Sequence, residues 1–149
     1  MKIIYLNSDG ATCIVNPVSQ KDYATVVPEI ASMTPLEYVE FIKNKDVPID
    51  ATNVSIVSAD LIPVDLTFRD ALKPDLTHDK QKCVEITNDR LRNERSTLLG
   101  SLDVEFMLAL EKGLPTQSIA TEKQRLRDIT KLANPSMTLE ELKALSVNA

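Results

Sequence analysis

The chain has one histidine, and this residue is the best candidate in the sequence for a catalytic side chain. His78 lies beside Asp79 and close to Asp75, and a carboxylate can orient an imidazole as a general base. Such a base also needs an oriented nucleophile, and nothing in the neighbouring sequence provides one. We therefore expect a solvated histidine at the start of a helix. The sequence predicts no catalytic residue and no enzyme, with His78 and these two aspartates as the residues to test if an activity were found.

Aspartates recur every five residues before this histidine, a spacing that invites a metal-site interpretation. They are Asp60, Asp65, Asp70 and Asp75. The run lacks the central glycine and the twelve-residue geometry of a calcium loop, so solubility of a loop explains it better. The chain has only three glycines, too few for a phosphate-cradling loop or a dinucleotide fingerprint. We expect no metal and no cofactor.

The two cysteines, Cys13 and Cys83, lie far apart in sequence, with no CxxC motif and no neighbouring histidine. Two free thiols of a cytosolic protein are the expected interpretation, although a disulfide stays open. We find no apolar stretch suited to a signal peptide or to a membrane span of about 20 residues. The sequence therefore predicts neither secretion by the general route nor contact with a membrane.

The charge of the chain argues against nucleic acid as its main partner. The net charge is −5 and the isoelectric point is near 4.9, whereas proteins that bind phosphate backbones are usually basic. A basic group at Arg90, Arg92 and Arg95 is the exception, and it keeps a small DNA-binding regulator open as an alternative. Asp89 and Glu94 balance these arginines, so we expect a solvated helix face.

The first half of the chain predicts a small α+β domain over residues 1–75. Short β-branched and aromatic runs at 2–6 and 12–15 flank a Ser-Asp-Gly turn, which predicts a β-hairpin. Thr34, Pro35 and Glu37 form a helix-start signal. The run at 54–57 is a candidate third strand.

The second half, residues 76–149, predicts a helical hairpin with a short third helix. A long helix starts at Thr77 or Asp79 and ends at Gly113. Its apolar stripe is Val84, Leu91, Leu98, Leu102, Phe106 and Leu110. Apolar residues become denser from 98 to 110, so we expect that end of the helix to be the buried one.

A second helix begins near Thr116 and folds back on the first, because the connection between them is short. Its residues predicted to face inward are Ile119, Leu126, Ile129 and Leu132. Thr138 is predicted to cap the third helix.

Several segments of the chain are similar to small tailed-bacteriophage proteins. In the helical half they are NER at 93–95, LL at 98–99, LDVEFM at 102–107, ALE at 109–111, KQRLRDIT at 123–130 and TLEELK at 138–143. The N-terminal IIY and Asp-Gly hairpin, KDVP at 45–48 and DLTFRDA at 65–71 also look like the first halves of such proteins. The chain thus resembles the phage tail, or tail-fibre, assembly chaperones.

The resemblance implies a non-enzymatic protein that acts by protein–protein binding in tail or fibre assembly, in the host cytoplasm, with tail or tail-fibre proteins as partners. A permanent structural protein of the virion, in the fibre, baseplate or head decoration, is the alternative, and homo-oligomerisation stays open. The residues predicted to face a partner or the chain's own core are Phe106, Leu110, Leu126 and Ile129.

Overall fold

Residues 1–148 are described by the structure, a computed structural model. The chain divides into two compact units, an N-terminal unit of Met1–His78 and a C-terminal unit that begins at Asp79. The sequence had placed this boundary between residues 75 and 76. The N-terminal unit contains an antiparallel sheet and the C-terminal unit is helical, so the predicted α+β class is confirmed.

The sheet of the N-terminal unit has three strands, β1 (Lys2–Leu6), β2 (Thr12–Val15) and β3 (Thr52–Val57), in the order β2-β1-β3. β1 and β2 form the predicted hairpin, with Ile4 opposite Ile14. Gly10 makes the turn with a φ of 74°, a conformation that glycine adopts without steric cost. β3 pairs antiparallel with the other side of β1, so β2 and β3 are both edge strands.

One face of the sheet packs against two helical segments. Helix α1 (Gln20–Tyr23) is short, and α2 (Pro35–Asp46) follows a 3₁₀ turn at Pro28–Ser32. The predicted cap of α2 is confirmed as a capping box, in which Thr34 and Glu37 satisfy each other's backbone N–H groups. The buried residues of this core are Ile3, Ile30, Tyr38, Val39 and Ile42.

The segment between β2 and α2, for which no prediction was made from the sequence, is held in place by hydrogen bonds from side chains of α1 and α2. The Tyr38 hydroxyl donates a hydrogen bond of 2.8 Å to the Val18 carbonyl. The amide of Gln20 donates to the carbonyls of Ile30 and Met33 at 2.8 and 2.7 Å. The Val18 and Met33 carbonyls, which lie outside strands and helices, thereby gain a donor. The Ile30 carbonyl accepts the bond from Gln20 in addition to one from the Met33 N–H.

The C-terminal unit is built on α3 (Lys80–Glu111), followed by α4 (Gln117–Asp128) and α5 (Leu139–Ala144). Asp79 caps the start of α3 by accepting from the Lys82 N–H. At its end Gly113 has a φ of 67°, and the Leu114 N–H donates to the Ala109 carbonyl at 2.8 Å. This is the Schellman arrangement, and it confirms the predicted end of the helix.

α3 packs against both α4 and α5. Leu91, Leu126, Ile129 and Val147 form one buried cluster. The third helix has its predicted cap, because Thr138 and Glu141 form a second capping box. Leu132, in contrast, was predicted to face inward and is 57% exposed, because it follows the 3₁₀ turn at Ile129–Lys131 in which the helical register of α4 ends.

Candidate protein-binding surface

The C-terminal half of α3 is the part of the helix with the least cover. The buried residues of α3 are Cys83, Val84, Thr87, Leu91 and Ala109, and only the last of these lies in the second half. The prediction that 98–110 is the buried end was therefore wrong. α4 has only 12 residues against 32 in α3, so it can cover one side of the longer helix and no more.

Exposed apolar side chains are concentrated at this end of the hairpin. They are Val104, Met107, Leu108, Leu110 and Leu114, each between 45% and 60% exposed. Gly100, Val104, Met107 and Leu108 follow the spacing of a single helix face. Soluble proteins seldom leave an apolar patch of more than a few hundred Å² without a use for it. We refer to Gly100, Val104, Met107 and Leu108 as the tip face, and Leu110 and Leu114 are exposed beside it.

Gly100 adds a second feature to the tip face. Glycine inside a helix costs about 1 kcal/mol relative to alanine. Gly100 has an ordinary helical backbone, and apart from its two neighbours and the adjacent turns of helix backbone no described atom lies within 4 Å of where a Cβ would stand. No contact within the described residues requires glycine here. A flat place on an exposed helix face is where another helix can approach closely.

The other side of this helix end packs on α4 through a charged and an aromatic contact. Asp103 and Lys123 form an ion pair between α3 and α4. The Lys123 ammonium also lies 4.8 Å from the centre of the Phe106 ring, a favourable cation–π geometry. Phe106 is thereby half-buried within the unit.

The structure separates the four residues predicted to face a partner or the core. Leu126 and Ile129 are buried in the cluster around Leu91, Phe106 is half-buried, and Leu110 alone is well exposed, at 53%. Val104 and Leu114 were not singled out from the sequence, and Met107 and Leu108 were assigned to a wider apolar stripe that was expected to be buried. The signal that could have found them is the short, polar sequence of α4, which cannot cover so wide a stripe.

The arginines that suggested nucleic-acid binding make contacts inside the unit. The guanidinium of Arg90 donates to the carbonyls of Leu142, Lys143 and Leu145 at 2.8 to 3.1 Å, at the end of α5. Arg95 donates to the carbonyls of Leu126 and Arg127 at the end of α4. Cations at helix C-termini satisfy orphan carbonyls and complement the helix dipole. Arg92 forms an exposed ion pair with Asp89.

The aspartates around His78 have structural contacts of their own. Asp75 accepts from the N–H and hydroxyl of Thr77 at 3.0 and 2.6 Å, and these bonds lower the pKa of the Asp75 carboxyl. Asp79 caps α3. His78 itself is half-buried and bridges to Leu72 as an isolated antiparallel pair. Asp65 makes the same kind of turn with Thr67.

Residues 1–148 contain no group of three or more His, Cys, Asp or Glu side chains placed to hold a metal ion. Both cysteines are free thiols, as expected, and burial raises the pKa of the Cys83 thiol. None of the helices in the described part of the chain combines the length and apolar character needed to cross a membrane.

Comparison with known proteins gave no match to a family model, to a curated protein or to a solved structure.

Proposed function

We propose that this protein is a non-enzymatic binding protein of tailed bacteriophages that contacts tail or tail-fibre proteins through the tip face. The observation that carries the proposal is the exposure of five apolar side chains at one end of a helical hairpin whose other end is buried. Tail or fibre as the partner, and the host cytoplasm as the place of assembly, come from the sequence resemblance.

Binding would proceed by burial of the tip face. Burying a side chain of this size contributes about 1.5–3 kcal/mol relative to leaving it in water, so two or three of these residues can dominate an interface. An amphipathic helix of the partner, laid along Gly100 and Val104, is a geometry that the flat place on α3 accommodates.

DNA binding is a weaker candidate function, because the arginines that suggested it already make contacts within the C-terminal unit. Arg90 and Arg95 use their guanidinium groups on carbonyls of α4 and α5, so a phosphate would have to compete with the contacts that hold the unit together. Steeply salt-dependent DNA binding would be the sign that this competition occurs.

The test is co-expression of the chain with each tail and tail-fibre protein of its phage, followed by affinity measurement on any complex. Val104→Asp combined with Met107→Asp should weaken binding at least tenfold. The matched control is Leu132→Asp, because Leu132 is as exposed as Met107, at 57%, and lies outside the tip face. Equal losses in both variants, or no complex with any tail or fibre protein, would contradict the proposal.

Mass spectrometry of purified virions then separates an assembly factor from a structural part. A factor that acts only during assembly should be missing from the particle. A permanent component of fibre, baseplate or head decoration should be present in fixed copy number.

A further inference from the structure

The N-terminal unit contains a groove that the tip face does not involve. Its volume is about 380 Å³. One side is formed by β2 and the start of β1, and the other side by the loop that follows β3. Its apolar wall is formed mainly by Ile14, Ile62, Pro63 and Leu66. This volume falls within the range of known ligand sites, roughly 300–1,000 Å³.

The charged side chains lining the groove are both cations, Lys2 and Arg69. Neither forms an ion pair within residues 1–148. No acidic residue lines the groove in the described part of the chain, and the Asp65 carboxylate of the loop accepts hydrogen bonds from Thr67. A carboxylate in the groove would therefore meet one ammonium and one guanidinium without a competing acid, and charge-assisted bonds of this kind are among the stronger ones.

These cations stand out because the rest of the unit is acidic. Residues 1–78 carry eleven Asp and Glu against six Lys and Arg. Two cations without acidic partners, placed together on an apolar wall, are therefore a local reversal of the charge of the unit. The reversal selects for a ligand that is both anionic and apolar.

The groove also adjoins an open sheet edge. β2 is an edge strand, and Ile14 belongs both to β2 and to the groove wall. The sequence of β2, Thr-Cys-Ile-Val, has no charge and no proline, the residues that usually protect an edge from pairing. An extended peptide added to β2 would direct every second side chain toward the groove.

We propose that this groove binds an extended acidic segment of a partner protein, which pairs with β2, inserts apolar side chains against Ile14 and Leu66, and places an Asp or Glu carboxylate at Lys2 and Arg69. A small inorganic anion would leave the apolar wall unused. The proposal is independent of the tip face, since it involves the other unit of the chain.

The experiment selects binders from a synthetic random-peptide library on the full chain. Enriched peptides should carry Asp or Glu with apolar residues at two-residue spacing. Lys2→Gln combined with Arg69→Gln should weaken their binding at least tenfold. Lys21→Gln is the control, because Lys21 is an exposed lysine of α1 outside the groove, and it should leave the affinity unchanged.

Hydrogen exchange of the selected complex locates the peptide, and slower exchange of β2 amides is the expected result. The proposal is overturned by a library that yields no binder, by enrichment of basic peptides, by equal binding to the double variant, or by protection that falls outside β2. Competition by inorganic phosphate as strong as that of the unlabelled peptide would likewise overturn it, because the site would then be a simple anion site.

Discussion

The two halves of α3, residues 80–95 and 96–111, differ in a way that their apolar content does not predict. The second half contains nine apolar residues against four in the first, yet it has fewer buried side chains. In the first half, Leu91 is fully buried among Leu126, Ile129 and Val147. The guanidinium of Arg90 donates to three carbonyls at the end of α5. In the second half, Val104 and Met107 are more than half exposed. The same helix thus serves as a core element at one end and offers an uncovered apolar face at the other. The part of α3 that other elements cover, and not its apolar content, determines which end of the helix is buried.

The largest difference between the halves should appear when one leucine in each is truncated. Leu91→Ala leaves a cavity in the buried cluster and should lower the free energy of unfolding by about 2–5 kcal/mol. Leu110→Ala, on the same helix, should change it by less than about 0.5 kcal/mol, since Leu110 is exposed. Urea denaturation of both variants measures this, and similar losses would remove the distinction between the two halves.

A smaller loss is expected from the arginine that fastens α5. Arg90→Ala removes three hydrogen bonds to carbonyls and should cost about 1–3 kcal/mol. The control, Arg92→Ala, breaks only an exposed ion pair with Asp89 and should cost no more than about 1 kcal/mol. Faster amide exchange in α5 should accompany the first variant and not the second. Unchanged exchange in Arg90→Ala would show that α5 is held by its apolar contacts alone.

These comparisons also explain what the sequence could and could not predict. The caps at Thr34 and Thr138 and the helix end at Gly113 were predicted correctly, because each depends on residues within a few positions of itself. Asp79, which caps α3, was one of two predicted starts, the other being Thr77. The direction of burial along α3 was wrong, since it depends on the length of another helix.

The candidate sites were harder to predict than the elements. The bonds of Arg90 span more than 50 residues, and Lys2 and Arg69 line the same groove although they are far apart in sequence. No local pattern indicates either arrangement. In sequence, the exposed residues Val104 and Met107 are as apolar as core residues, so only their exposure in the fold distinguishes them.

Replacing Gly100 should raise the stability of the chain and lower its affinity for a partner. Gly100→Ala should stabilise the isolated chain by about 0.4–1 kcal/mol, because the helical backbone and the open space around it accept a methyl group. The same change should weaken binding of a helix that packs closely on the tip face. Thermal unfolding measures the first effect and partner affinity the second. Destabilisation of the isolated chain would mean that something in the chain itself needs glycine there.

The smallest expected effect is the weakening of the two capping boxes at low pH. Hydrogen bonds from Thr34 and Thr138 lower the pKa of Glu37 and Glu141 below the ordinary value of 4.5. A lowered carboxyl pKa stabilises the fold above that ordinary value, and the contribution is lost as the pH falls through the folded-state pKa. Backbone amides at the starts of α2 and α5 should therefore exchange faster below about pH 4.5. The variant Glu141→Gln should remove this pH dependence from α5. An α5 that is equally acid-sensitive in this variant would point to other carboxyls.

Methionine oxidation tests the uncovered tip face most directly, because Met107 lies on it while Met33 and Met137 lie elsewhere and are half-buried. In dilute peroxide followed by mass spectrometry, Met107 should oxidise faster than the other two in the chain alone. Adding the tail or fibre protein that we propose as the partner should slow oxidation of Met107 and leave that of Met137 unchanged. Slow oxidation of Met107 at every dilution of the chain alone, or no slowing with a bound partner, would contradict the account.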